Sequence, residues 1–173
     1  MAQLRQGDEA PGFSLESVNS GTVSLGQLRG RRVLLVFGRY FGCPVCQREF
    51  DELEAFAAGH PGLAVVYVNQ SSSESARSFL EGRKPGFPVI PAPRTDGRYP
   101  LYDLYGVGKL GLLMLVKLVG KGREARAAGK KHGAYEGIET QSPAQFLIGA
   151  DGKIVWDNQG LFDTGKIEAQ LGF

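Results

Sequence analysis

The sequence is poor in several residue types, and each shortage excludes a class of protein. It has two cysteines and two histidines among 173 residues. Two cysteines cannot build the disulfide framework of a small secreted domain. A zinc site needs about four ligands, and His60 and His132 follow the cysteines at no spacing typical of zinc proteins. A G-x-G-x-x-G match that begins at Gly106 follows a predicted helix rather than a strand. We therefore expect no metal and no cofactor.

Strong charge and long apolar runs are also missing. The formal net charge is +2, which is too mild to demand a nucleic-acid partner. Residues 1–12 contain no apolar stretch typical of a signal peptide, and no apolar run reaches the ~18 residues of a membrane span. We therefore expect a cytoplasmic protein that forms one domain over residues 1–173. We do not expect a nucleic acid or a membrane among its partners.

The two cysteines that are present lie in one motif. Cys43-Pro44-Val45-Cys46 follows the apolar run Val33–Phe37 closely. Proline suits the first position of a helix, so Cys43 is predicted to be the N-cap. Free backbone N–H groups and the helix dipole favour a thiolate there. Residues three apart on a helix lie on one side, so the two sulfurs are close enough to form a disulfide.

An inert structural disulfide is the main alternative for this pair. So short a loop constrains the unfolded chain little and adds little stability. In a reducing compartment a C-x-x-C motif is more often catalytic than structural. The motif therefore predicts a redox-active pair in which Cys43 is a partly exposed nucleophile and Cys46 is the inward-facing, resolving cysteine.

Strand and helix signals alternate along the chain, which predicts an α/β fold with an N-terminal β-hairpin. The predicted strands are 13–15, 21–24, 32–37, 63–69, 87–90, 144–148 and 153–157. The predicted helices are 43–58, 73–82, 101–105 and 164–171, together with a helical insertion at 109–131 that precedes the last two strands.

Several stretches of the sequence carry a family resemblance. They are Asp8–Leu15, Val33–Phe37, Cys43–Cys46, Pro143–Ile148 and Asp151–Ile154. Together they resemble the peroxiredoxins, which have a thioredoxin fold. Residues 39–46 are most similar to the peroxiredoxin-like 2 group of the alkyl hydroperoxide reductase/thiol-specific antioxidant superfamily. The resemblance implies a central mixed β-sheet flanked by helices, with the redox cysteine at the start of the helix after the central strand.

The chain also departs from the peroxiredoxin pattern. Val36 and Tyr40 stand where typical peroxiredoxins have proline and threonine or serine, and their arginine before the strand at Ala144 is missing. Pro143 instead resembles the cis-proline of thioredoxins, which presents backbone to an incoming peptide or thiol. We expect Pro143 to bind substrate in this way, with an ordinary trans loop residue as the alternative.

Two residues before the motif are further candidates. Arg39 can lower the pKa of Cys43 and bind a peroxide oxygen, which would make it part of the catalytic group, or it can point to solvent. Tyr40 can donate a hydroxyl hydrogen bond to thiolate or substrate, or it can serve only in packing.

The leading hypothesis is therefore a cysteine-dependent oxidoreductase. Cys43 would attack an oxidised substrate, either a disulfide sulfur or a hydroperoxide oxygen, and Cys46 would resolve the product to an intramolecular disulfide. External thiols such as thioredoxin or glutathione would reset the pair. Disulfide exchange is favoured, and a hydroperoxide-specific antioxidant peroxidase is the alternative. A redox-sensing binding module without turnover is the hypothesis from another class.

The segment 109–131 combines an apolar run with a basic end. The apolar part is too short to span a bilayer. We expect the segment to pack over the cysteine site or to form a homodimer contact, and an amphipathic membrane anchor is the less favoured reading.

Overall fold

The computed structural model describes residues 3–172, apart from the side chains of residues 112, 113 and 115. The strands are β1 (Ser14–Ser17), β2 (Gly21–Ser24), β3 (Val33–Phe37), β4 (Ala64–Asn69), β5 (Val89–Pro91), β6 (Ala144–Ile148) and β7 (Ile154–Gln159). The helices are α1 (Pro44–Gly59), α2 (Ser73–Phe79), α3 (Pro100–Leu104), α4 (Leu112–Ala127) and α5 (Thr164–Leu171), and a 3-10 turn spans Leu25–Leu28.

A five-stranded mixed sheet lies at the centre of the fold, in the order β5-β4-β3-β6-β7. Strands β3, β4 and β5 run parallel, whereas β6 is antiparallel to both β3 and β7. Strands β1 and β2 form a separate antiparallel hairpin. The predicted α/β fold, with its mixed sheet and N-terminal hairpin, is confirmed.

Alternating side chains of the sheet build two hydrophobic layers. On one face, Leu35 and Phe37 of β3 pack with α3 and the N-terminal hairpin. On the other face, Leu34 and Val36 pack with α1, α2 and α5. Side chains of a strand alternate between the two faces of a sheet, so a strand buried on both sides is apolar at every position. This burial places the end of β3, and with it the start of α1, in the middle of the molecule.

The predicted helical insertion is present as α4, which lies between α3 and β6. Its two ends meet at a narrow base, where Leu110 N–H donates to Thr140 C=O at 2.8 Å and Lys109 pairs with Gln141 as an isolated β-bridge. From that base α4 reaches across to pack on α1. No helix within residues 3–172 has the length and apolar character that a membrane span needs.

Candidate active site

The C-x-x-C motif lies where β3 ends and α1 begins. Cys43 is the N-cap of α1 with extended backbone angles, and Pro44 occupies the first helical turn. The predicted position of the motif at a helix start is therefore confirmed. Both thiols are free, so the structure presents the dithiol form of the pair.

The expected exposure of Cys43 is wrong. Its exposed fraction is 5%, and that of Cys46 is 2%. Both belong to a small apolar cluster with Tyr40, against which Leu118 of α4 and Leu161 pack. The cover is contributed by residues more than 70 positions away, which local helix geometry cannot reveal. Among the readings that the sequence left open for 109–131, packing over the cysteine site is observed through Leu118.

The environment of Cys43 favours its thiolate and lowers its pKa to about 6. The Cys46 thiol, facing the sulfur as a hydrogen-bond donor, makes the largest contribution. Burial acts in the opposite direction, and the charge of Arg39 and the N–H groups of Cys46 and Val45 then lower the pKa further. These N–H groups act through proximity, because neither reaches the geometry of a full capping hydrogen bond.

Cys46 has the opposite electrostatics. Its pKa is raised well above the ordinary value, first by its hydrogen bond to Cys43, then by burial and by the charges of Cys43 and Glu49. A thiol whose pKa is this high stays protonated while its neighbour ionises. The pair therefore holds one thiolate, at Cys43, and one proton donor, at Cys46.

A buried carboxyl group, Glu49, lies one helical turn after Cys46. Its exposed fraction is 9%, and its Oε1 accepts a hydrogen bond of 2.7 Å from Phe162 N–H. Burial raises the pKa of Glu49 to about 7, although the Phe162 hydrogen bond works against this rise. A carboxyl group with such a pKa can accept and return a proton near neutral pH.

Arg39 lies at the site rather than in solvent. Its side chain is 8% exposed, and its Nη2 lies 3.2 Å from Glu139 Oε2. Burial would lower the pKa of Arg39, but the electrostatic effects of the two cysteines and of Glu139 outweigh it and the pKa is raised. Its Nε is buried without a hydrogen-bond partner among the described residues. A guanidinium with a spare donor can bind an anionic oxygen.

Tyr40 is fully buried, as expected for a packing role, yet its hydroxyl has polar neighbours. His132 Nδ1 donates to Gly133 C=O at 2.8 Å, and its Nε2 lies 3.4 Å from the Tyr40 hydroxyl oxygen. Burial and the nearby Glu139 carboxylate raise the pKa of Tyr40. Tyr40 is thus a neutral hydroxyl at the edge of the cysteine cluster.

The expected cis peptide bond at Pro143 is wrong, because every peptide bond of the described residues is trans. The loop before Pro143 is tied to the base of the insertion instead. Ser142 N–H donates to Gly108 C=O at 3.0 Å, and the Gln141 amide donates to the same carbonyl at 2.7 Å. Pro143 is buried directly before β6, beside the end of β3 in the sheet.

Residues 128–140, which we call the strap, return from α4 across the start of α1. Gly133 N–H donates to Gly42 C=O at 2.8 Å, and Gln47 Nε2 donates to Lys131 C=O at 3.0 Å. A Cβ on Gly42 would collide with the carbonyl oxygen of Ala134. The close approach of the strap to the residue before Cys43 therefore requires glycine.

Ion pairs join the cover to α1. Arg48 Nη1 lies 2.6 Å from Glu124 Oε2 of α4, and Lys130 of the strap pairs with Asp51. Together α4 and the strap form a cover that closes over both sulfurs.

Two acidic residues of this site, Glu49 and Glu139, were not predicted from the sequence. Glu49 could have been found from the sequence, because it lies three residues after Cys46 on the apolar face of α1. Burying a carboxyl group there costs stability, which indicates a functional role. Glu139 carried none, since it reaches Arg39 across 100 positions of sequence. His132, which the sequence analysis considered as a zinc ligand, is brought to Tyr40 by the strap.

Known proteins resemble this chain in sequence and in fold. A family model described as the AhpC/TSA family matches residues 6–157. The chain is 29% identical over 120 residues to a Mycobacterium tuberculosis (strain CDC 1551 / Oshkosh) protein provisionally named a peroxiredoxin, covering 64% of this chain and 75% of that protein. It is 29% identical over 123 residues to thiol-disulfide oxidoreductase ResA of Bacillus subtilis (strain 168), covering 68% and 65%.

A solved structure shares the fold over almost the full length. A Chlorobium tepidum protein, provisionally identified as the thiol:disulfide interchange protein DsbE, superposes with a TM-score of 0.66 at 24% identity. The superposition covers 98% of this chain and 96% of that chain. The predicted thioredoxin-like fold is confirmed.

Proposed function

This chain belongs to the AhpC/TSA family, and we propose that it is a thiol-disulfide oxidoreductase that uses Cys43 as nucleophile and Cys46 as resolving cysteine. The observation that carries the proposal is the opposite shift of the two thiols, with the pKa of Cys43 lowered to about 6 and that of Cys46 raised. Near neutral pH only Cys43 is a thiolate, and only a thiolate attacks a disulfide.

The reaction proceeds in two exchanges. The Cys43 thiolate attacks one sulfur of the substrate disulfide, which forms a mixed disulfide and releases the other substrate sulfur as a thiolate. Cys46 then loses its proton and attacks the Cys43 sulfur, which forms the Cys43–Cys46 disulfide and releases the second substrate thiolate. Two electrons pass from the protein dithiol to the substrate, and an external dithiol or two monothiols return them.

Glu49 supplies the proton acceptor for the second exchange. Its pKa of about 7 and its position one turn from Cys46 suit it to take the thiol proton when the resolving step begins. Its burial keeps that proton exchange away from bulk water. Cys46 can attack the Cys43 sulfur only after it has lost its proton, so Glu49 acts on the second exchange and not on the first.

Substrate access depends on the cover. With Cys43 at 5% exposure, an attacking geometry at its sulfur requires Leu118 or the strap to move. Pro143 and Tyr40 border the same edge of the sheet and are proposed to bind the substrate once it is admitted. Thioredoxin-like or glutathione-like thiols are proposed as the reductants.

Hydroperoxide reduction is a second candidate, favoured by one observation. Arg39 is buried with an unpartnered Nε near both sulfurs, which suits it to hold a peroxide oxygen. The Cys43 thiolate would then attack the O–O bond, become a sulfenic acid and release an alkoxide that takes a proton. Cys46 would condense with the sulfenic acid to give the same disulfide and water.

A coupled assay tests both candidates. The purified protein is mixed with a model disulfide or with an alkyl hydroperoxide, together with thioredoxin and its reductase or glutathione and its reductase, and NADPH loss is followed. Disulfide-dependent NADPH consumption that disappears in Cys43→Ser supports the proposal. Consumption only with the hydroperoxide selects the second candidate, and consumption with neither substrate contradicts both.

A further inference from the structure

The basic residues of this chain are concentrated in one segment. Seven of the 20 lysines and arginines, but one of the 18 acidic residues, lie between positions 109 and 131. The segment therefore carries a formal charge of +6, and the rest of the chain carries −4 of the total of +2. Such an uneven distribution indicates a surface that meets negative charge.

The helix α4 within this segment has two different faces. Its inner face is buried, with Ala125 fully enclosed and Leu118 against the cysteine cluster. On the opposite side, Val116 and Val119 are 68% and 60% exposed. Residues three apart on a helix are neighbours, so these two valines form one apolar stripe that faces outward. Two valines are a small apolar surface, so what they bind depends on the charges that border them.

The charged residues beside the stripe complete the pattern. Lys117, Arg123 and Arg126 are exposed and form no ion pair with any residue in the range 3–172. The one acidic residue of α4, Glu124, forms ion pairs with Arg48 and Lys121. The outer face of α4 thus offers two valines among free cations and no free carboxylate.

We propose that this face is a docking surface for an anionic lipid interface. A helix with an apolar stripe bordered by lysine and arginine lies flat at the headgroup level, with the apolar side chains in the acyl boundary and the cations on lipid phosphates. At 16 residues α4 is about 24 Å long, and docking in the plane of the interface needs no membrane span.

The charges also argue against two other occupants. In a twofold contact between copies of this chain, Lys117, Arg123 and Arg126 would face the same cations of the second copy, and the repulsion would oppose association. A nucleic acid would pair with the cations but leave both valines in contact with water or with phosphate. A lipid interface matches both the charge and the apolar stripe.

Docking by this face would place the redox site at the membrane surface. The inner side of the same helix covers Cys43 through Leu118. The proposal concerns binding only and does not depend on the proposed function.

Vesicle flotation tests the proposal with the full chain. Vesicles of phosphatidylcholine alone are compared with vesicles that also contain phosphatidylglycerol. We expect the protein to float with the mixed vesicles and not with the neutral ones, and we expect binding to weaken as salt screens the charges. Cys43→Ser protein is measured in parallel and should bind equally, which separates this result from any failure of thiol chemistry.

Two variant pairs and one matched control assign the surface. Arg123→Glu with Arg126→Glu should weaken binding to mixed vesicles more than about tenfold. Val116→Ser with Val119→Ser should weaken it at low salt as well, since it removes the apolar part. Arg77→Glu with Lys84→Glu makes the same charge change at exposed positions on and after α2, and should leave most of the binding intact. Circular dichroism checks that each variant is folded.

Several results would overturn the proposal. These are no binding by the wild-type protein, equal binding to neutral and mixed vesicles, and a loss in the Arg77/Lys84 control as large as in the Arg123/Arg126 pair. A dimer of the free protein in analytical ultracentrifugation that disappears in Val116→Ser with Val119→Ser would assign the stripe to a second copy instead. If the valine pair unfolds the protein, the arginine pair at exposed positions still decides.

Discussion

Cys43 and Cys46 stand one helical turn apart on α1, yet their surroundings push their ionisation in opposite directions. The Cys46 thiol donates to the Cys43 sulfur, and the guanidinium of Arg39 and the first N–H groups of the helix add to this effect, so the pKa of Cys43 is lowered to about 6 despite burial. The same hydrogen bond holds the proton on Cys46, and burial and the charges of Cys43 and Glu49 raise its pKa further. A single helix start therefore holds a thiolate beside a protonated thiol, because the hydrogen bond between the two sulfurs stabilises the charge on Cys43 and keeps the proton on Cys46.

Replacing Cys46 should have the largest effect on this contrast. In Cys46→Ser the hydroxyl still donates to the Cys43 sulfur but cannot form a disulfide, so the mixed disulfide should accumulate and turnover should fall at least about 100-fold. Cys46→Ala also removes the donor, so the pKa of Cys43 should rise as well. Mass spectrometry detects the trapped adduct, and alkylation rate against pH reports the pKa. A fully active Cys46→Ser protein would contradict the resolving role.

Replacing Arg39 tests whether its positive charge lowers the pKa of Cys43. Arg39→Gln removes the charge near the sulfur, so the midpoint of Cys43 alkylation against pH should move up from about 6 toward the ordinary thiol range. Near pH 6 the alkylation rate should fall about tenfold. Arg39→Lys keeps the charge and should restore most of the rate. A wild-type midpoint near 8.5 would contradict the activation of Cys43 altogether.

Replacing Glu49 tests whether the folded protein raises the pKa of this carboxyl group, and the dependence of stability on pH is the measure. The folded protein holds this carboxyl with a pKa of about 7, whereas the unfolded chain has the ordinary 4.5. The contribution of this carboxyl group to the free energy of unfolding is therefore greatest below pH 4.5. It declines as the pH rises to 7 and stays low above pH 7. At pH 8, Glu49→Gln should remove a penalty of up to about 3 kcal/mol and leave stability at pH 4.5 nearly unchanged.

Urea unfolding of wild type and Glu49→Gln at the two pH values measures this difference. Glu52→Gln, at a half-buried position of the same helix, serves as the matched control for the glutamate-to-glutamine exchange itself. An equal effect of Glu49→Gln at both pH values would mean that the carboxyl group is not held in its neutral form by burial.

The smallest expected effect concerns the cover that hides both thiols. Gly42→Ala places a methyl group against the Ala134 carbonyl, so the strap should lift and alkylation of Cys43 should become several-fold faster, at a stability cost of about 1–2 kcal/mol. Gly59→Ala adds a methyl group where no atom lies within 4 Å and should change neither rate nor stability by much. Unchanged alkylation in Gly42→Ala would show that the strap does not limit access.

The parts of the site that could be predicted are those set by neighbours in sequence. Pro44 after Cys43 predicts the helix start, and the period of Cys46, Phe50 and Leu53 predicts which side of α1 is buried. The exposure of Cys43 and the cis bond at Pro143 were predicted wrongly. The burial of Cys43 depends on Leu118 of the insertion and on Leu161, and the loop before Pro143 is tied to Gly108, directly before the insertion.

The sequence by itself determined the order of strands and helices, the family and the helix start that carries the dithiol, because periodicity, proline and cysteine spacing act over a few residues. Only the tertiary structure decided the ionic partners of the dithiol and its burial. Arg39 meets Glu139 across 100 positions, and the strap reaches Gly42 from 91 positions further along the chain. Such contacts arise when the sheet and the cover pack together, and electrostatic effects depend on distance in space and on burial rather than on distance in sequence.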